Sequence, residues 1–261
     1  EGHMTVEVRC RGVGGGEEED RALNEAAEEG NMTEVRHLLA AGANVNATRT
    51  GFGRTPLHGP ACKGHLEVSQ ILVEAGANLD IKDSGGCTPL HDSAYHGHVR
   101  VSQMLVGAGA NVHTTNNEGE TPLHNSAANG HLEVSQLLVG AGTNVNATDN
   151  EGNTPLHLST EKGHVELSQM LLEARANVDA REKTEKTPLH WSACRGQVEA
   201  SRMLVAAGSN IHATDNLGMT PLHWSASYGH VELSEMLIRA GANVHFTDSE
   251  GKTPLDLAKD K

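Results

Sequence analysis

The chain has 261 residues, a formal net charge of −14 and only two Trp, two Tyr and two Phe. That acidity argues against a phosphate-backbone binder, whose affinity comes from clustered Lys and Arg, and disfavours anionic membrane surfaces, so neither nucleic acid nor membrane is expected as a partner. With so few rings, the core must be built from Leu, Val, Ile, Met and Ala.

Four cysteines, Cys10, Cys62, Cys87 and Cys194, form no C-x-x-C pair and point to reduced, intracellular thiols, in the cytoplasm first and the nucleus as the alternative. No apolar run reaches the roughly 18 residues a membrane helix needs, and no signal peptide opens the chain.

In chain order, Glu1-Gly2-His3-Met4 reads as a cloning scar, and residues 1–20, with Gly14 to Gly16 and the acidic run Glu17 to Asp20, read as a flexible leader. From Arg21 the spacing of Ala22, Leu23, Ala26 and Ala27, then of Val35, Leu38 and Leu39, predicts two helices around a turn at Gly30. Thr-Pro-Leu-His then begins at Thr55 and returns every 33 residues at Thr88, Thr121, Thr154, Thr187 and Thr220, with Thr253-Pro254-Leu255-Asp256 as a variant. Units this small must stack to bury a core, so residues 21–261 form one solenoid of about eight units, the first and last atypical.

Residues 84 to 116 give the grammar of each unit. Thr88 and Pro89 suit the N-cap and N1 positions of a helix that carries Leu90 and Ala94 on one face and stops at Gly97. A second helix starting near His98 buries Val101, Met104 and Leu105 and ends at Gly109, and a hairpin-like turn leads to the next Thr. Three local departures stand out. Pro60 should distort or delay the first helix of its unit, Arg175 replaces a cap glycine at a left-handed position, and Glu182 to Lys186 lacks the Asp-x-x-Gly of other tips, which predicts an altered shape there.

Helix, turn, helix and hairpin on this period, with T-P-L-H-x-A, G-H-x-E and A-G-A-N-V motifs, resembles the ankyrin repeat family over residues 20 to 261. The resemblance implies an all-α solenoid of helix-turn-helix units joined by β-hairpin-like loops. It also implies that the repeated histidines tie backbone groups within and between units. Thr-Pro-Leu-His rings one unit apart cannot share a metal whose ligands lie at about 2 Å, so neither metal nor cofactor is expected. Ser69, Ser102, Ser135, Ser168, Ser201 and Ser234 occupy one repeated site, which gives no activated nucleophile and no reason to expect an enzyme.

The resemblance further implies a partner-binding concave groove made by the residue after Thr-Pro-Leu-His, the two before the next Gly, and the hairpin tips. The candidate contacts are Phe52, Tyr95, His96, Asn125, Asn129, Leu158, Lys162, Trp191, Arg195, Trp224 and Tyr228. Five of the six aromatics fall on these sites, and Trp, Tyr and Arg dominate binding hot spots. Half-burial of each Trp against its neighbouring units is the competing explanation. Arg195 and Lys162 are placed to hold an acidic group.

Family hairpins are substrates of asparaginyl hydroxylases at the position of Asn46 and Asn146, although shaping the turn is the preferred account of both residues. The expected function is that of a monomeric scaffold for a protein or linear peptide. The alternatives are the targeting segment of a larger enzyme or ubiquitin-ligase subunit, or an engineered scaffold, which Gly59-Pro60, Arg175 and Cys62 argue against.

Overall fold

The computed structural model describes residues 16–49 and 51–259, so the scar expected at residues 1–4, the expected leader up to residue 15 and Cys10 lie outside the described residues. Helices come in pairs: α1 (Glu17–Glu29) with α2 (Met32–Ala41), α3 (His58–Lys63) with α4 (Leu66–Glu74), and α5 (Pro89–Tyr95) with α6 (Val99–Gly107). They continue as α7 (Pro122–Ala128) with α8 (Leu132–Gly140), α9 (Pro155–Lys162) with α10 (Val165–Glu173), and α11 (Pro188–Arg195) with α12 (Val198–Ala206). Next come α13 (Pro221–Ser227) with α14 (Val231–Arg239), and then α15 (Pro254–Lys259). Among the described residues there is no strand and no helix long and apolar enough to cross a membrane.

First helices pack in one row and second helices in another, each against its partner and its neighbours along the stack. The core runs between the rows as a ladder of fully buried leucines, including Leu90, Leu123, Leu156 and Leu189 from first helices and Leu105, Leu138, Leu171 and Leu204 from second helices. Burying such a side chain stabilises by about 1.5–3 kcal/mol.

Each histidine of Thr-Pro-Leu-His is a staple. Its Nδ1 lies 2.8–3.0 Å from the hydroxyl of its own Thr and receives the Thr backbone N–H. That pairing puts the proton on Nε2, which donates at 3.0–3.2 Å to the carbonyl just before the next unit's Thr. The Gly-His rings make a second tie: His98, His131, His164 and His230 reach first-helix carbonyls of the preceding unit at 2.8–3.3 Å. Of the repeated serines, Ser102, Ser135, Ser168 and Ser201 are buried and bridge the two helices of a unit, as Ser192 and Ser201 do at 2.8 Å, and the half-buried Ser234 does the same with Ser225, whereas Ser69 bonds His65 O of its own helix.

A third set of bonds runs along the hairpins. Asn46, Asp80, Asn146 and Asp179 each accept, through a side-chain oxygen, the backbone N–H of an Asn in the next unit at 2.7–2.9 Å. His113 and His212 occupy the same place at two other steps and supply no such acceptor.

Some expectations need correction. Helix α1 begins at Glu17, so the acidic run expected in the leader is its first turn, where carboxylates complement the helix dipole. Helix α3 is delayed to His58, as Pro60 led one to expect, which puts Pro60 in the first turn, where a missing N–H is harmless. The adjacent Gly59 packs so tightly on α1 that a Cβ would lie 2.9 Å from Glu28 Cα.

Arg175 takes a left-handed φ of 68°. The 182–186 tip keeps the turn of its neighbours instead of changing shape. Glu182 N–H donates to Lys186 O and Glu185 N–H to Glu182 O, as Asp149 and Gly152 do one unit earlier. Glu185 adopts φ 62° in place of glycine, and the Glu182 carboxylate accepts the Thr184 and Lys186 N–H groups.

Candidate functional site

The groove lies where first helices meet hairpin tips, and its side chains are set by two spacings. The residue after Thr-Pro-Leu-His faces the tip of its own unit, so Trp224 Nε1 donates to Asp215 Oδ2 at 2.8 Å and Asn125 Nδ2 to Glu120 Oε2 at 3.0 Å. It also faces the residue 38 positions earlier, just before the preceding unit's Thr. Arg54 thus meets Asp92 at 2.6 Å, and Lys186 Nζ lies 4.7 Å from the Trp224 ring centroid.

Burial pushes the Asp92 carboxyl up to about 7, against the pull of Arg54. At the same spacing Asn153 and Trp191 carry the two buried side-chain polar atoms, Asn153 Oδ1 and Trp191 Nε1, that have no hydrogen-bond partner among the described residues.

Around Trp224 the rings form a shelf. Tyr228 stacks on Trp224 at 5.9 Å and 16°, and His230 on Tyr228 at 6.1 Å and 24°. The shelf opens into a concavity of about 480 Å³ lined by Lys186, Trp191, Cys194, Arg195, Trp224, Tyr228 and His230. Burial raises the Cys194 thiol to about 12, so it is no nucleophile.

A second concavity of about 390 Å³ lies beside Tyr95, with Asp92, Glu118 and Glu120 in its wall. Tyr95 and Tyr228 are each about half exposed, at 51%, whereas Trp191 and Trp224 are half-buried. The sequence-predicted residues therefore do not form one patch. Trp191, Arg195, Trp224 and Tyr228 come together, Tyr95 and Asn125 share the other cavity, and Phe52 is exposed at a tip.

Asn129 donates to Asn125 O at 2.9 Å, Leu158 is half-buried, and His96 packs between Tyr95 and His98. Arg195 and Lys162 are not both open to a ligand, because both engage Glu161: Arg195 through Nε and Nη2 at 2.9 and 2.6 Å, and Lys162 at 3.8 Å. Sequence reasoning missed Lys186 and Asp215. The signal for Lys186 was the 38-residue spacing that also joins Arg54 to Asp92, whereas Asp215 lies nine residues before Trp224 in the tip of the same unit.

Asn46 and Asn146 hold the hairpin ladder through Oδ1, and Asn146 also donates to Arg175 O at 3.3 Å.

Comparison with known proteins agrees with this architecture. The human ASB11 ankyrin repeat domain, in its crystal structure, superposes with a TM-score of 0.74 at 29% identity, over 78% of this chain and 92% of that one. Mouse 2-5A-dependent ribonuclease is 34% identical over 61 residues, which are 23% of this chain and only 8% of the ribonuclease. The family model described as ankyrin repeats in three copies matches residues 23–116, 102–182, 123–215 and 189–260. With those matches covering the described helices almost end to end, the chain belongs to the ankyrin repeat family.

Proposed function

We propose that this chain is a monomeric, non-catalytic interaction module that binds a protein or extended peptide along the groove, chiefly across its C-terminal half. The observation that carries this reading is the half-exposed ring shelf of Trp224 and Tyr228 opening into a concavity beside Trp191. First helices of neighbouring units lie about 10 Å apart, which matches side chains three residues apart on an extended segment rising about 3.3 Å per residue. Each ring buries some 150–250 Å², a gross gain of several kcal/mol at about 25 cal/mol/Å² before ordering costs. The unpaired thiols of Cys62, Cys87 and Cys194 suit a reducing, cytoplasmic setting.

Affinity capture with the wild-type chain and with Trp191→Ala and Trp224→Ala tests the reading. The true partner should be lost with either variant, its affinity falling by at least about tenfold while unfolding stays cooperative. Retention by both variants, with loss on Tyr95→Ala, would move the site to the other cavity. Asn46 and Asn146 enter this reading as hydroxylation acceptors whose hairpins must open first, since their Oδ1 atoms already hold the next unit. Intact mass after incubation with an asparaginyl hydroxylase should rise by about one oxygen atom per site.

A second reading, as the targeting segment of a larger enzyme, has one observation in its favour: the stretch resembling this chain is 8% of a ribonuclease.

A further inference from the structure

The charges around the two cavities differ in sign. The Tyr95 cavity has Asp92, Glu118 and Glu120 in its wall and no Lys or Arg. The Trp224 cavity has Lys186 and Arg195 and no Asp or Glu, in a chain whose net charge is −14. The acids nearest to it are already engaged. Asp215, only 4% exposed, receives the Trp224 indole N–H, and the Glu161 carboxylate is capped by Arg195.

The two cations keep donors in reserve. Lys186 Nζ uses one of its three hydrogens, on Thr184 Oγ1 at 3.1 Å, while Arg195 engages Glu161 through Nε and Nη2 and leaves Nη1 without a partner among the described residues.

We infer that the Trp224 cavity takes an acidic peptide segment, with an Asp or Glu carboxylate between Lys186 and Arg195 and a neighbouring aliphatic or aromatic side chain laid on Trp224 and Tyr228. This rests on the groove being the binding surface. A carboxylate there gains charge-assisted hydrogen bonds from two cations that the fold leaves unsaturated. A cationic ligand is opposed, because Lys186 already occupies a face of Trp224 and would repel it where a bare ring would attract it. A nucleotide also combines an anion with a stacking ring. Its clustered phosphates meet the repulsion of a strongly acidic chain, whereas a single carboxylate on a mostly neutral peptide meets less.

Phage-displayed random peptides of about 12 residues, long enough to cross about four units when extended, are the probe. They are selected on the full chain, and the winners are titrated as fluorescent synthetic peptides by anisotropy. The proteins compared are wild type, Trp224→Ala, the double variant Lys186→Glu with Arg195→Gln, and Arg202→Glu as a control on the second-helix row, each first shown to unfold cooperatively.

The expected winners carry Asp or Glu beside Leu, Phe or Trp. They weaken by at least about tenfold with Trp224→Ala and with the double variant, ignore Arg202→Glu, and weaken further as NaCl rises from about 0.05 to about 0.5 M. Winners that need Trp224 but are neutral or basic, or that ignore the double variant, overturn the acidic assignment and leave the groove reading standing. Winners that ignore Trp224→Ala, or a selection that enriches nothing, overturn both. If ATP or a short oligoadenylate displaces the winners in a Lys186-dependent way, the cavity is a nucleotide site and the inference is wrong.

Discussion

Acidification is the perturbation that most directly interrogates the staples. His91, His157 and His190 are buried with Nδ1 accepting and Nε2 donating, and burial holds each ring's pKa down at about 4, from an ordinary 6.5. A ring whose folded pKa is depressed binds its proton first in the unfolded chain. Its contribution is intact above about pH 6.5 and is lost progressively as pH falls towards 4.

At about 1.4 kcal/mol per pH unit, each ring removes about 3 kcal/mol over that window, and the three together remove about 10 kcal/mol. That is comparable with the whole stability of an ordinary domain, about 5–15 kcal/mol. His58, His124 and His223 are lowered for the same reason and act in the same direction. Asp92 acts against them. Its carboxyl, raised from 3.8 to about 7, takes up a proton in the folded state over the same range and returns at most about 4 kcal/mol.

Urea unfolding followed by circular dichroism between pH 7.5 and 4 should therefore show stability falling by several kcal/mol below pH 6.5, and Asp92→Asn should make the decline steeper. A flat profile over that window, or stability that rises as pH falls, would refute the assignment of these rings as neutral, doubly bonded staples.

Other substitutions isolate single features. Arg175→Gly relieves a left-handed backbone without touching the carbonyl that Asn146 uses, and should stabilise by about 0.5–1 kcal/mol in denaturant titrations. Trp224→Phe removes a hydrogen bond to the buried carboxylate of Asp215 and should destabilise by about 1.5–3 kcal/mol, whereas Trp191→Phe removes an N–H that has no partner and should lose less than about 1 kcal/mol. Equal losses in the two would show that packing alone sets both. Gly59→Ala forces a Cβ against the α1 backbone and should lower stability by about 1–3 kcal/mol, mainly in the first two units, as hydrogen exchange would localise.

The parts of the fold that were legible in the sequence were those fixed by neighbours within a unit. The helix pair, the delayed α3 at Pro60 and the left-handed Arg175 follow from residues a few positions apart, and the period made the count of units plain. Helix α1 was placed too late because four consecutive acids look like a solvated leader until the helix dipole gives them a use. The 182–186 tip was misjudged because Glu182 performs the work of Asp with a longer side chain, while Glu185 accepts the φ that glycine takes elsewhere.

At the groove, the aromatic positions could be read from the register, but their charges could not. Arg195 is matched to Glu161 from 34 residues away, and Lys186 to Trp224 from 38. Such offsets exist only once units are stacked at a particular rise and rotation, which no single unit encodes.

The hairpin ladder that breaks at His113 and His212 should give the array uneven mechanical compliance. Elsewhere along the ladder, Asn or Asp clasps the following unit through a side-chain bond in addition to its staple; at these two steps the staple lacks that support, with only Thr143 Oγ1 on Val112 O at 3.3 Å and a His212–Phe246 stack at 6.5 Å nearby. Under axial load, the spring should yield first at these joints, and force spectroscopy of single units swapped to Asn at position 113 or 212 would register the stiffening. Each softer joint lies under one of the cavities, since the two units joined at His113 line the acidic cavity beside Tyr95 and the two joined at His212 line the cationic one beside Trp224. A segment gripping both ends would thus meet a groove whose length can adjust to it, instead of a fixed ruler.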